Sequence, residues 1–444
     1  MMVIKPRTWN RSLKVSCLLS ALLLVAFAPP TRAVPFIDSG YGSQAAYYLP
    51  EINAMGGTGV ALYRGGLSNV FNPAFLSWEE SQRLDFSVSF ELETEERYVS
   101  LFDSFESRVT DTVIASNRHD FFNTGFAYAQ RLGSKSPVTL GFSLTDRYSF
   151  EYQFEEEVRN PVGSDPPPDR DRILSERAYD VNGILRFLSL GAAVDVSRVL
   201  AFGAAVHYGF GTRELIVRQR DLVDSELSLY EKEKFSLDGV NFTLGGRWRV
   251  SDRVELGVAW ETPMVASGNL FHEITYGVAP DSMQTESGSG RVDYPNIIHG
   301  GITYRPRNNP RTVFTMDAVF SNWSDLKDSR VPNDNPELLD TWDWRVGLQH
   351  TFYNNMPVRF GFRRLDSYLD REASYTFFTA GLGMPFARGS FDFSFELGKI
   401  VSEQEHLFLY PEFVDDYGTS FTYPEIARVE DTRLRFGIGY SLSW

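Results

Sequence analysis

The sequence predicts an all-β fold: a transmembrane antiparallel β-barrel of about 14 strands, with an N-terminal hatch (plug) segment in its lumen. Three observations predict the barrel. Apolar and polar residues alternate with period two, short turns alternate with long loops, and aromatic residues make up 14% of the 444 residues. A closed sheet satisfies its backbone hydrogen bonds inside the bilayer, and a lipid-facing row of side chains accounts for so many aromatic residues.

The first 33 residues have the composition of a secretory signal peptide. Four basic residues precede an apolar run over 15–28, and Thr31-Arg32-Ala33 offers small residues for cleavage after Ala33. The run is shorter than the roughly 20 residues that a membrane-spanning helix needs, so we favour a cleaved leader over an anchor. The single cysteine, Cys17, lies within it, and the exported chain would have no disulfide.

Alternation with period two recurs beyond the leader, over 84–93, 138–145, 391–397 and 434–444. Soluble β-sandwiches also alternate, so the connections must decide between the two folds. Six short turns alternate with seven long loops, which is the layout of an outer-membrane barrel with long extracellular loops. The long loops are expected near 94–117, 155–178, 219–234, 271–290, 324–339, 366–372 and 403–430.

The chain ends in a row of apolar residues with an aromatic residue at its end. This row resembles the C-terminal signature that the barrel-assembly machinery recognises in outer-membrane proteins, and it predicts a Gram-negative-type cell outer membrane as the location. A membrane-interface belt would also favour a terminal Trp. The expected assembly signal consists of Phe436, Ile438, Tyr440, Leu442 and Trp444.

The expected organisation is a signal peptide over 1–33, a hatch over 34–82 and a barrel over 83–444. The hatch is rich in glycine, which permits tight backbone paths, and Asn-Pro marks a turn within it. Its candidate residues are Gly56, Gly57, Asn72, Pro73 and Ala74.

This hatch resembles that of the long-chain fatty acid transporter family (FadL/TodX-like), which has a glycine-rich stretch and an Asn-Pro-Ala turn before its first strand. Short motifs at 294–304, 322–324, 344–347 and 358–362 extend the resemblance. The resemblance implies fourteen strands, capture of a hydrophobic ligand at extracellular loops, passage into the barrel, and lateral release when the hatch shifts. Arg64 stands where the family commonly has acidic residues.

Ligand binding is expected to combine an apolar pocket with a basic residue that orients the ligand. Burial of an acyl chain contributes about 0.8 kcal/mol per CH₂, whereas a partly exposed arginine–carboxylate pair contributes about 0–1 kcal/mol. The candidates are Arg64, Arg247, Arg359, Arg363, Phe408, Tyr410 and Phe413.

The candidate arginines and the candidate aromatic residues could each have a structural role instead of binding a ligand. An arginine facing lipid at the bilayer midplane costs about 2–4 kcal/mol, so the lumen arginines point inward, where they could simply form ion pairs that brace barrel and hatch. The aromatic loop residues could pack as a cap. In the first loop, apolar residues recur at helical spacing from Leu101 to Val113, which predicts one apolar helical face.

The function that this resemblance implies is an outer-membrane channel for passive uptake of hydrophobic molecules such as long-chain fatty acids. The alternative is a PorV-like barrel whose loops dock proteins during secretion. No HExxH or GxSxG motif is present and the six histidines are scattered, so we expect no enzyme, no cofactor and no metal. The net charge of −15 argues against nucleic-acid binding. Expected partners are hydrophobic small molecules or fatty acids, outer-membrane lipid and the barrel-assembly machinery, and we expect a monomer.

Overall fold

The computed structural model is a closed antiparallel barrel of fourteen strands in the part of the chain that it describes, which confirms the predicted fold class. It describes residues 39–44, 49–63, 65–79, 81–102, 108–133, 137–159, 173–277, 282–330, 337–408, 413–414, 420–421 and 426–444. The predicted signal peptide lies outside these residues. No helix within the described ranges is long and apolar enough to cross a membrane.

The fourteen strands follow chain order around the barrel, and three of them consist of two segments. Their bounds are Gln82–Phe102 (β1), Arg108–Arg131 (β2), Val138–Ser149 with Tyr152–Arg159 (β3), Ile173–Asp195 (β4), Leu200–Asp221 (β5), Leu229–Ser251 (β6), Val254–Glu261 with Met264–Tyr276 (β7), Gln284–Tyr294 with Ile297–Tyr304 (β8), Thr312–Ser321 (β9), Thr341–Thr351 (β10), Pro357–Leu365 (β11), Tyr375–Phe386 (β12), Gly389–Glu405 (β13) and Ile426–Ser443 (β14).

The first and last strands close the barrel. β1 pairs with β14 from Arg83↔Ser443 to Tyr98↔Arg428, so each inner strand hydrogen-bonds two neighbours. The alternation then sorts the side chains: Phe90 and Phe436 are exposed on the outside, whereas Asp85 is fully buried in the lumen. The predicted lipid-facing row is therefore present on these strands.

Several predicted loops are strand over much of their length. β1 has 21 residues and β2 has 24, so strand structure covers most of the expected loop at 94–117. The prediction of an apolar helical face from Leu101 to Val113 is wrong, because Leu101 lies near the end of β1 and Val113 lies on β2. Alternation there is weaker than in the membrane band because strands above the bilayer no longer face lipid.

The described residues of the N-terminal segment lie inside the barrel. Their helices are two of one turn each, Pro50–Asn53 (α1) and Ser68–Phe71 (α2), followed by a 3-10 helix over Pro73–Trp78. Asn72 precedes this last helix, and its side chain accepts a hydrogen bond from the Ala74 N–H at 3.1 Å. We call residues 49–63 and 65–79 the plug segment.

Candidate functional site

The extracellular half of the lumen is filled by side chains from the barrel strands and from the connections between them. We call this cluster the aromatic core, and its largest members are buried to at least 92%. They are Tyr148, Phe150, Tyr152, Phe154, Phe187, Phe235, Met264, Tyr294, Trp323, Tyr368 and Phe408.

A β-bulge in β3 turns its aromatic side chains into the lumen. Below the bulge, even-numbered residues such as Leu140 face outward, and an unbroken strand would keep Tyr148 and Phe150 on that lipid-facing side. The pairing with β4 shifts register between Asp146 and Tyr148. An inserted residue reverses the alternation, so the even-numbered residues above it face inward.

The other two segmented strands, β7 and β8, reverse their alternation in the same way. On β7, Glu261 and Met264 are both buried although three positions separate them, and on β8 the same holds for Tyr294 and Ile297. The residues between each pair are not part of a strand. Polar and small residues therefore face inward below these interruptions, and apolar residues face inward above them.

The rings of the aromatic core are in direct contact. Ring centroids lie 4.7 Å apart for Tyr148 and Tyr294, 5.9 Å for Tyr148 and Trp323, and 4.2 Å for Trp323 and Tyr368. Such pairs contribute about 0.5–1.5 kcal/mol each beyond their buried area. The upper lumen is therefore both apolar and well packed.

A solvent-facing cavity of about 620 Å³ lies above the aromatic core. Tyr41, Leu215 and Leu270 line it and also pack against the core. Burial, with the carboxylate of Asp328 nearby, raises the pKa of the Tyr41 hydroxyl to about 12. Charged side chains, among them Arg213, Glu233 and Arg330, also line the cavity, so a charged rim surrounds its apolar floor.

The ladder between β2 and β3 is interrupted in the middle of the wall, and the two strands meet again higher up, where the Glu155 N–H donates to Asn117 Oδ1 at 3.0 Å. These strands pair only from Arg131↔Thr139 to Phe126↔Leu144, although β2 continues well beyond. Within the described residues, the strand segment Ser43–Gln44 fills this edge by pairing with Tyr148–Ser149 of β3. We call this region the wall opening. It adjoins the aromatic core, because Tyr148 belongs to both.

Glycines on the inner wall let the backbone of the plug segment approach closely. A Cβ at Gly361 would lie 2.1 Å from Gly56 N, and one at Gly257 would lie 2.3 Å from Val60 O. Gly56 and Gly57 themselves have φ values of 70° and 80°, which only glycine adopts readily. The plug segment is therefore seated directly against the strands.

Wall side chains also hold the plug segment by hydrogen bonds. The carboxylate of Asp317 accepts the N–H groups of Gly59 at 2.7 Å and Val60 at 3.0 Å. Thr379 Oγ1 accepts the Gly56 N–H at 2.9 Å and lies 3.1 Å from Ala54 O, to which it donates. These bonds join the plug segment to β9 and β12.

Comparisons with known proteins place this geometry in a family. A family model described as BamG matches residues 11–408, which is most of the chain. The chain belongs to the BamG family. Among curated proteins, none matches.

The fold of this BamG-family chain is similar to that of several solved channels. A FadL homologue from Pseudomonas aeruginosa superposes with a TM-score of 0.63 at 14% identity, covering 90% of this chain and 99% of that one. The P. putida toluene transporter TodX gives 0.59 at 14%, covering 92% and 99%. The monoaromatic hydrocarbon channel CymD gives 0.55 at 16%, covering 89% and 97%. These similarities show a FadL-like fold, and this fold together with the BamG-family match supports the outer-membrane location.

The three described candidate arginines of this BamG-family barrel are buried and ion-paired. Arg363 pairs with Glu396, and Arg359 Nη1 lies 2.5 Å from Asp392 Oδ1. Arg247 Nη2 lies 3.2 Å from Asp195 Oδ1, and its guanidinium also lies 5.5 Å from the ring of Trp78 in the plug segment. The bracing network therefore accounts for their placement without a ligand.

The remaining candidates are spread over different places. Phe408 is 8% exposed in the aromatic core, with the guanidinium of Arg177 5.4 Å from its ring. Phe413 lies in a two-residue strand whose side chains are outside the described part, as are Arg64 and Tyr410. Among the candidates whose side chains the structure describes, Phe408 is the one that joins the apolar cluster.

The sequence analysis missed most of the aromatic core. On β3 the even-numbered residues from Phe142 to Phe154 are apolar or aromatic except Asp146, and this one charged residue, which stands at the register shift, was the available signal. Pro263 and Pro295 were a usable signal, because proline inside a central strand marks an interruption of the ladder.

Proposed function

We propose that this protein is an outer-membrane channel for hydrophobic small molecules, including long-chain fatty acids. One observation carries the proposal: the packed aromatic core lies between an extracellular cavity and a wall opening at the level of the lipid. Phe122, which is 43% exposed on β2, lies beside that opening on the outer surface. A hydrophobic molecule would leave water at the cavity and need not cross the polar plug segment.

The contacts of the plug segment favour a lateral path over one through the barrel floor. Asp317, Thr303 and Thr379 bond its backbone to the wall. Below it lies a cavity of about 320 Å³ lined by charged groups that include Glu51, Arg83 and Arg359. Charged groups also line the extracellular cavity, but that cavity opens onto the aromatic core, which suits an apolar molecule better. Release would therefore follow displacement of Ser43–Gln44 from the wall opening.

The ligand selectivity follows from this arrangement. The core offers apolar contact, and the neighbouring arginines are already neutralised by carboxylates, so affinity would depend on apolar area, at about 25 cal/mol per Å² buried. Toluene-like hydrocarbons and acyl chains are both compatible with such a site.

The test is uptake by a deletion strain complemented with the wild-type protein. Radiolabelled long-chain fatty acid and a labelled monoaromatic hydrocarbon would each be supplied, and we expect uptake of at least one to fall in the deletion strain and return on complementation. A matched pair of variants separates the core from the lipid-facing surface: Phe150→Ala in the core should lower uptake, whereas Phe360→Ala, 55% exposed on the outside, should not. Normal uptake without the protein would refute the proposal.

The ion-paired lumen also favours a second candidate, a scaffold that docks proteins. Arg363 is fully buried and paired with Glu396, so the lumen can serve as a rigid support without any ligand. Normal uptake together with loss of surface proteins in the deletion strain would favour this alternative.

A further inference from the structure

Two prolines face each other in the middle of the β7–β8 pair. The strand segments on both sides of the interruption keep one register, which sets Pro263 opposite Pro295. Proline is normally confined to edge strands or bulges because it cannot donate to the ladder. Here both strands have neighbours on either side, β6 beside β7 and β9 beside β8.

The residues beside the two prolines form hydrogen bonds with the outer neighbours of the pair, β6 and β9. Thr262 donates its N–H to Phe242 O on β6 at 2.9 Å, and Asn296 O accepts the N–H of Asn322 at 3.2 Å. Successive residues of a strand point their peptide groups to opposite sides. Because the alternation reverses here, the two prolines lie within the interruption itself, where neither has an N–H group to donate to the opposite strand.

This gap lies between the aromatic core and the lipid-facing surface. Met264 and Tyr294 lie on its inner side, 1% and 3% exposed, and both belong to the core. On the outer surface Trp260 and Ile298 lie just below the gap and Val265 just above it, all at least 41% exposed. The ladder between β7 and β8 is thus interrupted between two apolar environments.

We propose that β7 and β8 separate at this site, which we call the proline seam (Thr262, Pro263, Pro295 and Asn296), and that hydrophobic molecules pass through it between the aromatic core and the outer leaflet. The proline seam is a second lateral route, separate from the wall opening between β2 and β3. The inference rests on the proposed function for its cargo, but the separation of the strands is a property of the wall alone.

The test measures whether inward-facing positions beside the seam can be reached from the lipid. Met264→Cys and Ala266→Cys would be compared with Ala259→Cys, which is equally buried on β7 below the seam. Each full-length variant is reconstituted in phospholipid vesicles and treated with a maleimide attached to a lipid. The absence of both proline N–H donors should make the positions above the seam react between about fivefold and about a hundredfold faster than Ala259→Cys.

A disulfide across the seam provides the closed control. Thr262→Cys and Asn296→Cys are opposite one another and should close the seam reversibly, whereas Val258→Cys with Gly300→Cys spans the intact ladder. For this arm Met264 is replaced by a photoreactive residue, and its cross-linking to lipid is scored. The Thr262–Asn296 disulfide should abolish that cross-linking, and reduction should restore it.

The outcomes separate this inference from the proposed function. Equal labelling at all three cysteine positions, or cross-linking that the seam disulfide does not change, overturns the proline seam even if the wild-type protein takes up fatty acid. Faster labelling that the seam disulfide abolishes supports the seam even if uptake fails, and then only the proposed function is refuted.

Discussion

Replacement of Gly361 by alanine tests whether the plug segment depends on close backbone contact with the wall. The added Cβ would lie 2.1 Å from Gly56 N and 2.4 Å from the Met55 carbonyl carbon, well inside the 3.4 Å at which ordinary van der Waals contact begins. Both contacts are backbone atoms, so no side chain can rotate away. Overpacking costs about 1–3 kcal/mol, and loss of the Gly56–Thr379 hydrogen bond adds about 1 kcal/mol.

We therefore expect Gly361→Ala to displace the plug segment while the barrel remains folded. Gly300→Ala is the matched control, because its Cβ would meet only Ala318 O at 3.9 Å. Heat-modifiable gel mobility checks the barrel, limited proteolysis checks the plug segment, and planar-bilayer recording measures ion conductance. Higher conductance and faster cleavage than in the control are expected. If the two variants behave alike in both assays, the close contact does not hold the plug segment.

Three further substitutions test the interior. Arg363→Met removes the nearer of two buried arginines beside Glu396, whose carboxylate keeps Arg435 Nη1 at 3.8 Å, and should lower the free energy of unfolding by at most about 3–5 kcal/mol in a urea titration. Arg364→Met, at an exposed pair, should cost at most about 1 kcal/mol in the same titration. Phe150→Ala should cost about 3–5 kcal/mol by that measurement, and stability equal to wild type would contradict a packed core. Asp317→Leu removes the acceptor of two N–H groups and should speed proteolysis of the plug segment; unchanged protection would show that these bonds are dispensable.

The outline of the barrel could be predicted because each strand in the membrane obeys a simple rule. Lipid on one side and lumen on the other select alternate residues, so Phe436 and Ile438 of β14 show the pattern without reference to any other strand. Fourteen strands and the even count followed from that rule together with the turns. The loops were overestimated because above the membrane this selection weakens while the ladder of β1 and β2 continues.

The candidate arginines could be placed inside the barrel but not assigned a role. Desolvation forbids Arg363 from facing lipid, and that reasoning needs only the alternation. Its partner Glu396 lies 33 residues away on another strand, so whether it braces the wall or meets a ligand depends on cross-strand geometry. Ion pairing between strands is a property of the closed barrel and leaves no local pattern.

The aromatic core shows why the chemistry of a lumen is harder to predict than its wall. A single inserted residue in β3 moves Tyr148 and Phe150 from the lipid side to the lumen, because alternation has period two and any odd shift exchanges the faces. Such a shift leaves no trace in the amino-acid composition of the strand, because apolar side chains suit both the lipid-facing side and the upper lumen. On β7 and β8, Pro263 and Pro295 produce the same reversal and also remove hydrogen bonds. The features that make the upper lumen apolar are therefore the features that weaken its wall, which is why a route for hydrophobic molecules is expected beside them.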